Sequence, residues 1–192
     1  MTPAVPTLRG ERCVLRALVP EDAPSMQRHA DDPAVAYNLF DGFPQPYTLA
    51  DAQAWCDDSR REASMGHVWG IDVQGDVAGC ISVAPQSGLW ACSAILGYWL
   101  GKAYWRRGIV SEALEFVTLW AWPALPQITR LWMPIYARNL ASQAVARKAG
   151  YALEGRMALA AHKAGHAIDA VQYGCTRPGA TPQDHVLPTL PA

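Results

Sequence analysis

Residues 11–18, ERCVLRAL, alternate apolar with polar and predict a first strand. Residues 19–32, VPEDAPSMQRHADD, predict a short helix with Pro20 near its start and acids in its first turn. A second helix is expected in PYTLADAQAWCDDSRREASMG, capped by Thr48, with apolar positions at Leu49, Ala52, Trp55 and Cys56. The period then shortens. HVWGIDVQGDVAGCISVAP predicts two strands around a Gly75–Asp76 turn, and CSAILGYWL predicts a third, which together make an antiparallel meander.

Helical spacing returns in YWRRGIVSEALEFVTLW. Ile109, Ala113, Phe116, Val117 and Trp120 mark the packed face there, and Glu112, Glu115 and Thr118 mark the other. A strand (ITRLWMPIYA), a helix (LASQAVARKAG) and two strands (YALEGRMALAAH and HAIDAVQYGCT) follow, the last two joined by a turn at Lys163–Gly165. The strand, helix, strand order implies a parallel crossover near the sheet's centre. The predicted class is α+β, with a mixed, mostly antiparallel sheet of about seven strands flanked by about four helices.

Composition narrows the possibilities. A chain of 192 residues, 51% hydrophobic, fits one domain with a full core. Residues 1–177 are expected to form it, and the stretch 178–192, with four prolines, reads as an extended tail. A formal charge of −1 gives no general basic field, so neither nucleic acid nor an acidic membrane is an expected partner. Five cysteines without a C-x-x-C spacing read as buried thiols of a reducing cytoplasm. The N-terminal residues show no apolar signal region. The uncharged run from Phe116 to Thr129 is broken by Pro123 and Pro126, short of the ~20 residues of a membrane span. Eight tryptophans and the proline tail suggest a self-associating surface, hence a homodimer.

The chemistry concentrates at residues 104–111. Gly108 at a helix start permits close backbone approach. Unpaired amides, the positive end of the helix dipole, and Arg106 with Arg107 together suit a phosphate. Two arginines alone would equally be solvated surface charge. No G-x-x-x-x-G-K-[ST] or G-x-G-x-x-G string occurs, so neither a nucleoside-triphosphate loop nor a dinucleotide fingerprint is present.

The run LGYWLGKAYWRRGIVSEAL resembles the pyrophosphate-binding motif Q/R-x-x-G-x-G/A of the GNAT acetyltransferases, in the RimJ/RimL-like branch. It reads here as Trp105, Arg106, Arg107, Gly108, Ile109 and Val110, with Val110 a departure in the last place. FPQPYTLADAQAW, ARNLASQAVARKAGY and LEGRMALAAHKAGHAIDAVQYG, which includes Asp169, resemble further segments of that branch in the same order. The resemblance implies a splayed central pair of strands, ILGYWL and ITRLWMPIYA. Gly97 then suggests a bulge, and Pro134 withholds an N–H where the splay needs none.

It further implies acetyl-CoA as cosubstrate and no metal. Backbone amides from Arg106 through Ser111 would hold the pyrophosphate, and the backbone of Tyr98, Trp99 and Leu100 would pair with the pantetheine. Asn139 would reach the pantetheine side, a role compatible with capping the helix at 140–149. Arg147 and Lys148 would meet the 3′-phosphate or stay solvated. Many members of the family carry a tyrosine acid where this chain has Ala146. Ser142, one turn earlier, is the branch's position for that acid and is also placed to help cap the helix.

Ile95 and Leu96 stand where the branch often has a glutamate, which leaves His67 and Asp72 as base candidates beside a surface reading of each. His162 and His166 have a metal pair's spacing, but Gly165 breaks the geometry. A site without an evident base suits a low-pKa amine such as a protein N-terminus. The alternatives are a small-molecule amine acetyltransferase, for which the acids at 31–32 and 57–58 would be relevant, or a catalytically weak acyl-CoA-binding module.

Overall fold

The computed structural model describes residues 5–57 and 66–181. The elements follow one another as β1 (Leu8–Arg9), β2 (Val14–Arg16), α1 (Ala23–Ala30), α2 (Pro33–Ala36), α3 (Leu49–Cys56), β3 (His67–Val73), β4 (Asp76–Pro85) and β5 (Ser93–Leu100). Then come α4 (Ile109–Ala124), β6 (Arg130–Tyr136), α5 (Leu140–Lys148), β7 (Ala152–Lys163) and β8 (His166–Thr176). The eight strands lie in one sheet, in the order β1-β2-β3-β4-β5-β6-β8-β7. Every neighbouring pair is antiparallel except β5 and β6, the parallel crossover expected from the strand, helix, strand order.

Alternation along the strands divides the core between two faces. Leu15, Trp69, Ile71, Ile81, Val83, Leu131 and Met133 pack with Ile109, Ala113, Leu114, Val117 and Ala121 of α4 and Ala146 of α5. The smaller core, on the opposite face, joins Ala23, Met26 and Ala30 of α1 with Ala52 and Cys56 of α3, over Val77 and Cys80. Each large side chain removed from water in this way contributes roughly 1.5–3 kcal/mol. α3 starts where Thr48 and Asp51 form a reciprocal cap, as the sequence indicates.

Several expectations need correction. β1 and α2 are additional elements, too short to show a period. β2 spans three residues rather than eight, because only the central part of ERCVLRAL finds a partner in β3. The β3–β4 turn residues are Gln74 and Gly75, both at positive φ, one position earlier than expected. Gly97 forms no bulge, since the β4–β5 register runs unbroken from Gly79↔Leu100 to Pro85↔Ala94. Helix α4 continues through Pro123 to Ala124; the proline forgoes the bond to the Leu119 carbonyl, and Leu119 lies on the exposed face of the helix. Glu112 and Thr118 are buried rather than solvated: Thr118 Oγ1 lies 2.6 Å from the Tyr151 hydroxyl. Cys92 is an exposed thiol and Cys175 a half-buried one, so not all the cysteines are buried as expected. The later part of the second expected helix, residues 58–65, and the tail beyond 181 lie outside the described residues. No described helix is long and apolar enough to cross a membrane.

Candidate active site

β5 and β6 pair only over Ser93↔Arg130, Ala94↔Leu131 and Ile95↔Trp132, and then diverge. The chemistry of β6 favours this. The Ala137 N–H donates to Asp169 of β8 at 2.9 Å, so by alternation the backbone of Pro134 and Tyr136 faces β5. Pro134 has no N–H to offer a partner there. The gap opens a cleft of about 800 Å³ that reaches both faces of the sheet.

The same alternation sorts the β5 backbone. Ser93 and Gly101 bond toward β4, so Trp99 also faces β4, where it pairs with Cys80, while Tyr98 and Leu100 face the gap. Of the three residues expected to offer backbone to a pantetheine arm, Trp99 is therefore committed elsewhere, and it contributes its side chain to the cleft instead. The Leu100 carbonyl accepts from the Trp105 indole at 2.7 Å, which fixes the turn leading to α4.

That turn ends in Arg106 at φ 63 and Gly108 at φ 77. A left-handed arginine beside a left-handed glycine curls successive amides inward, an arrangement that suits an anion. The first helical bond of α4 is Glu112 N–H to Gly108 O at 3.1 Å, so the amides of Ile109, Val110 and Ser111 have no helical carbonyl to bond. The Val110 side chain is half-buried against the core. Arg107 lies over the Tyr104 ring, 5.2 Å from its centroid.

Two further cations reach Gly108. A Cβ placed there would lie 3.3 Å from Arg12 Nε and 3.7 Å from Lys148 Nζ. Lys148 is thus brought to the turn, whereas Arg147 points away and donates to the Tyr173 hydroxyl at 2.7 Å. Arg12 was not legible in the sequence. The buried Glu112 carboxylate holds it, accepting from the Arg12 amide at 3.0 and 3.1 Å and from its guanidinium at 3.0 Å. Gly10 permits this approach, because a Cβ on it would overlap the Glu112 carboxylate.

On the other side of the gap, Asn139 caps α5 by accepting the Ser142 amide at 3.1 Å, and its Nδ2 donates to Ser142 Oγ at 3.0 Å. The Tyr98 phenol donates to the Ser142 carbonyl at 3.3 Å, and burial pushes its pKa up to about 12. Both hydroxyls line the cleft. Ala146 is buried in the core, so a side chain at that position meets α4's packing instead of the gap.

Neither base candidate reaches the cleft. The His67 ring packs 4.8 Å from Trp120 on the α4 face, where burial lowers its pKa. Asp72 accepts from Arg16 Nε at 2.8 Å and from the Gly75 amide at 2.6 Å. His162 meets Asp41 at 3.0 Å, and among the described residues no group of His, Cys, Asp or Glu could hold a metal ion. Asp169 accepts the Leu159 amide and the Arg156 guanidinium, so it braces the β7 irregularity.

On the α1–α3 face the cleft widens into a groove beneath residues 38–47. Its walls are mainly aromatic and aliphatic, and the carboxylate among its described lining residues, Asp51, is engaged by Thr48. Three buried polar atoms in this lining have no partner: Trp55 Nε1, Trp132 Nε1 and Asn38 Oδ1. Leaving such an atom unpaired costs roughly 1–3 kcal/mol.

The fold is shared with proteins of known structure. The fold is similar to that of the microcin C7 self-immunity acetyltransferase MccE in complex with acetyl-CoA and AMP, with TM-score 0.73, 19% identity and coverage of 88% of this chain and 94% of that one. It is similar to RimL, the ribosomal L7/L12 alpha-N-protein acetyltransferase in complex with coenzyme A, with TM-score 0.75, 21% identity and coverage of 89% and 98%. The ribosomal-protein-S5-alanine acetyltransferase from Vibrio fischeri superposes with TM-score 0.76 at 15% identity, covering 93% and 100%. No curated protein was found to match the chain. The family model for the acetyltransferase (GNAT) domain matches residues 12–152, most of the sequence, and by that match this protein belongs to the GNAT acetyltransferases, enzymes that draw their acetyl group from acetyl-CoA.

Proposed function

We propose that the protein transfers acetyl from acetyl-CoA to an α-amino group, that of a protein or peptide N-terminus, by direct attack on the thioester. The observation that carries this reading is the groove itself, which opens onto the strand gap without a free carboxylate or imidazole among its described lining residues. At pH 7, deprotonating a lysine amine of pKa ~10.4 costs about 4.6 kcal/mol, against about 1.1 for an α-amine near ~7.8. A groove that supplies no base selects the second. RimL, named as an alpha-N-protein acetyltransferase, and the ribosomal-protein-S5-alanine acetyltransferase share the fold, which supports placement in the RimJ/RimL-like branch.

In this reading the amides at Gly108–Ser111 hold the diphosphate, and Arg12 and Lys148 add charge beside them. The free edge of β5 at Tyr98 and Leu100 guides the pantetheine to the gap. Beyond Trp132 the first N–H that β6 turns toward the gap is that of Tyr136, which suits it to polarise the thioester carbonyl as the oxyanion forms. Ser142 gives its proton to the departing thiolate and is reprotonated by the proton that the amine nitrogen loses as the amide forms, with the Tyr98 phenol, protonated at neutral pH, beside it. A polyamine would call for acids along the groove, and Asp51 is already engaged. The exposed Cys92 thiol accords with a reducing cytoplasm.

Thiol release measured with a mixed amine panel, with products located by mass spectrometry, tests the proposal. Acetylated α-amines are expected. Rapid lysine acetylation with untouched α-amines would contradict it, and CoA binding without thiol release would point to a binding module.

A further inference from the structure

The acceptor groove carries more chemistry than an opening for an amine needs. Phe40, Phe43, Trp55, Trp99, Trp132 and Met157 line it. Aromatic walls around a volume of this size hold an apolar body. Within that lining sit the unpaired donors Trp55 Nε1 and Trp132 Nε1 and the unpaired acceptor Asn38 Oδ1. Buried polar atoms in folded proteins are nearly always paired; these three are occluded here, and a turn of each side chain toward the groove would offer it to a ligand's polar groups. Two donors and one acceptor complement a peptide backbone, whose carbonyls accept and whose N–H donates.

Charge narrows the class further. None of the described lining residues is Lys, Arg or His. A free amino acid's carboxylate or a nucleotide's phosphate would leave water there without a counter-charge, whereas a peptide amide is neutral. A cationic side chain fares no better, since Asp51 is engaged by Thr48. Gly97 keeps the floor open beside the gap: a Cβ there would meet only Ser82 Oγ, at 3.5 Å.

Building on the α-amine reading above, we infer that the groove takes a polypeptide N-terminus whose first side chain is large and apolar or aromatic. Trp55, Trp132 and Asn38 hold the peptide unit behind that side chain. Both ends of the substrate are thereby recognised before the amine reaches the thioester.

Steady-state acetylation of peptides that differ only in their first residue (Phe, Leu, Asp or Lys), together with free phenylalanine and an AMP-linked aminoacyl compound, tests this. The Phe- and Leu-initiated peptides are expected to exceed the Asp-initiated peptide and free phenylalanine in kcat/KM by about tenfold or more. Trp132→Phe, which keeps a ring but removes the N–H, is expected to raise KM for the Phe-initiated peptide. The loss should fall on KM rather than on kcat, because the N–H holds the peptide and takes no part in the acyl transfer. Equal turnover across first residues, or preference for the charged, free or nucleotide-linked acceptors, overturns this inference while acetylation of α-amines stands. Turnover of lysine side chains alone would instead overturn the α-amine reading and this inference with it.

Discussion

Asn139 and Ser142 hold each other twice: Asn139 Oδ1 accepts the Ser142 amide at 3.1 Å, and Nδ2 donates to Ser142 Oγ at 3.0 Å. A hydroxyl that accepts from Asn139 keeps its own proton to donate, and Ser142 is among the residues that line the cleft. Ser142→Ala should therefore lower kcat by about tenfold to a hundredfold while the thermal midpoint is kept, because the cap of α5 belongs to Asn139. Asn139→Ala should cost about 1 kcal/mol of stability. Steady-state kinetics beside thermal melts check both. Unchanged turnover in Ser142→Ala would leave the Tyr98 phenol as the proton source.

Gly97→Val separates the two substrates. The backbone there is extended and paired with Ser82, so the strand can carry a side chain, and that side chain would project into the acceptor groove. The amine's KM should rise about tenfold or more, with CoA affinity by calorimetry close to that of the parent. Equal losses for both substrates would mean that the thioester arm, rather than the acceptor, occupies this floor.

Arg12 is held beside the Gly108 turn by Glu112, a hundred residues away. Arg12→Ala should weaken CoA about tenfold and flatten the fall of affinity with added salt. Glu112→Ala should weaken CoA and also destabilise the fold, by about 1–3 kcal/mol, since the Arg12 amide loses its acceptor. Titrations at two ionic strengths decide whether the arginine acts through charge.

Asp76 accepts from Ser25, Arg28, His29 and Tyr104, tying α1 to the turn that precedes α4. Burial alone would raise its pKa, but the bonds from Ser25, Tyr104 and His29 outweigh it and hold the carboxyl below its ordinary 3.8. A depressed carboxylate contributes stability that is present above that ordinary value and is lost as pH falls toward the folded one. Thermal midpoints measured from about pH 5 down to about pH 3 should fall for the parent, while Asp76→Asn starts lower and changes less.

Local signals made much of this molecule readable from its residues. The cap at Thr48, the glycine at 108, the period-two strands and the proline at 134 each act within a few residues, so a single sequence displays them. Long-range pairings leave no such trace. Glu112 reads as a solvated helical position until the β1–β2 turn, with Gly10 at its bend, is packed against it. Arg147 and Lys148 are neighbours in sequence, yet the rotation of about 100° between successive residues of a helix sends one to Tyr173 and the other to Gly108. The strand parity that removes Trp99 from the gap follows from register with β4, and His67 turns toward Trp120 because β3 presents that face to α4.

The account stands on the inward-turned amides of residues 106–111, and calorimetry of coenzyme A with the folded protein tests them most directly. The account predicts one site with a dissociation constant in the range of about 1 μM to 1 mM, weakened in Gly108→Ala, whose Cβ would need a left-handed backbone 3.3 Å from Arg12 Nε. No heat of binding from a protein whose melting transition is intact would contradict it.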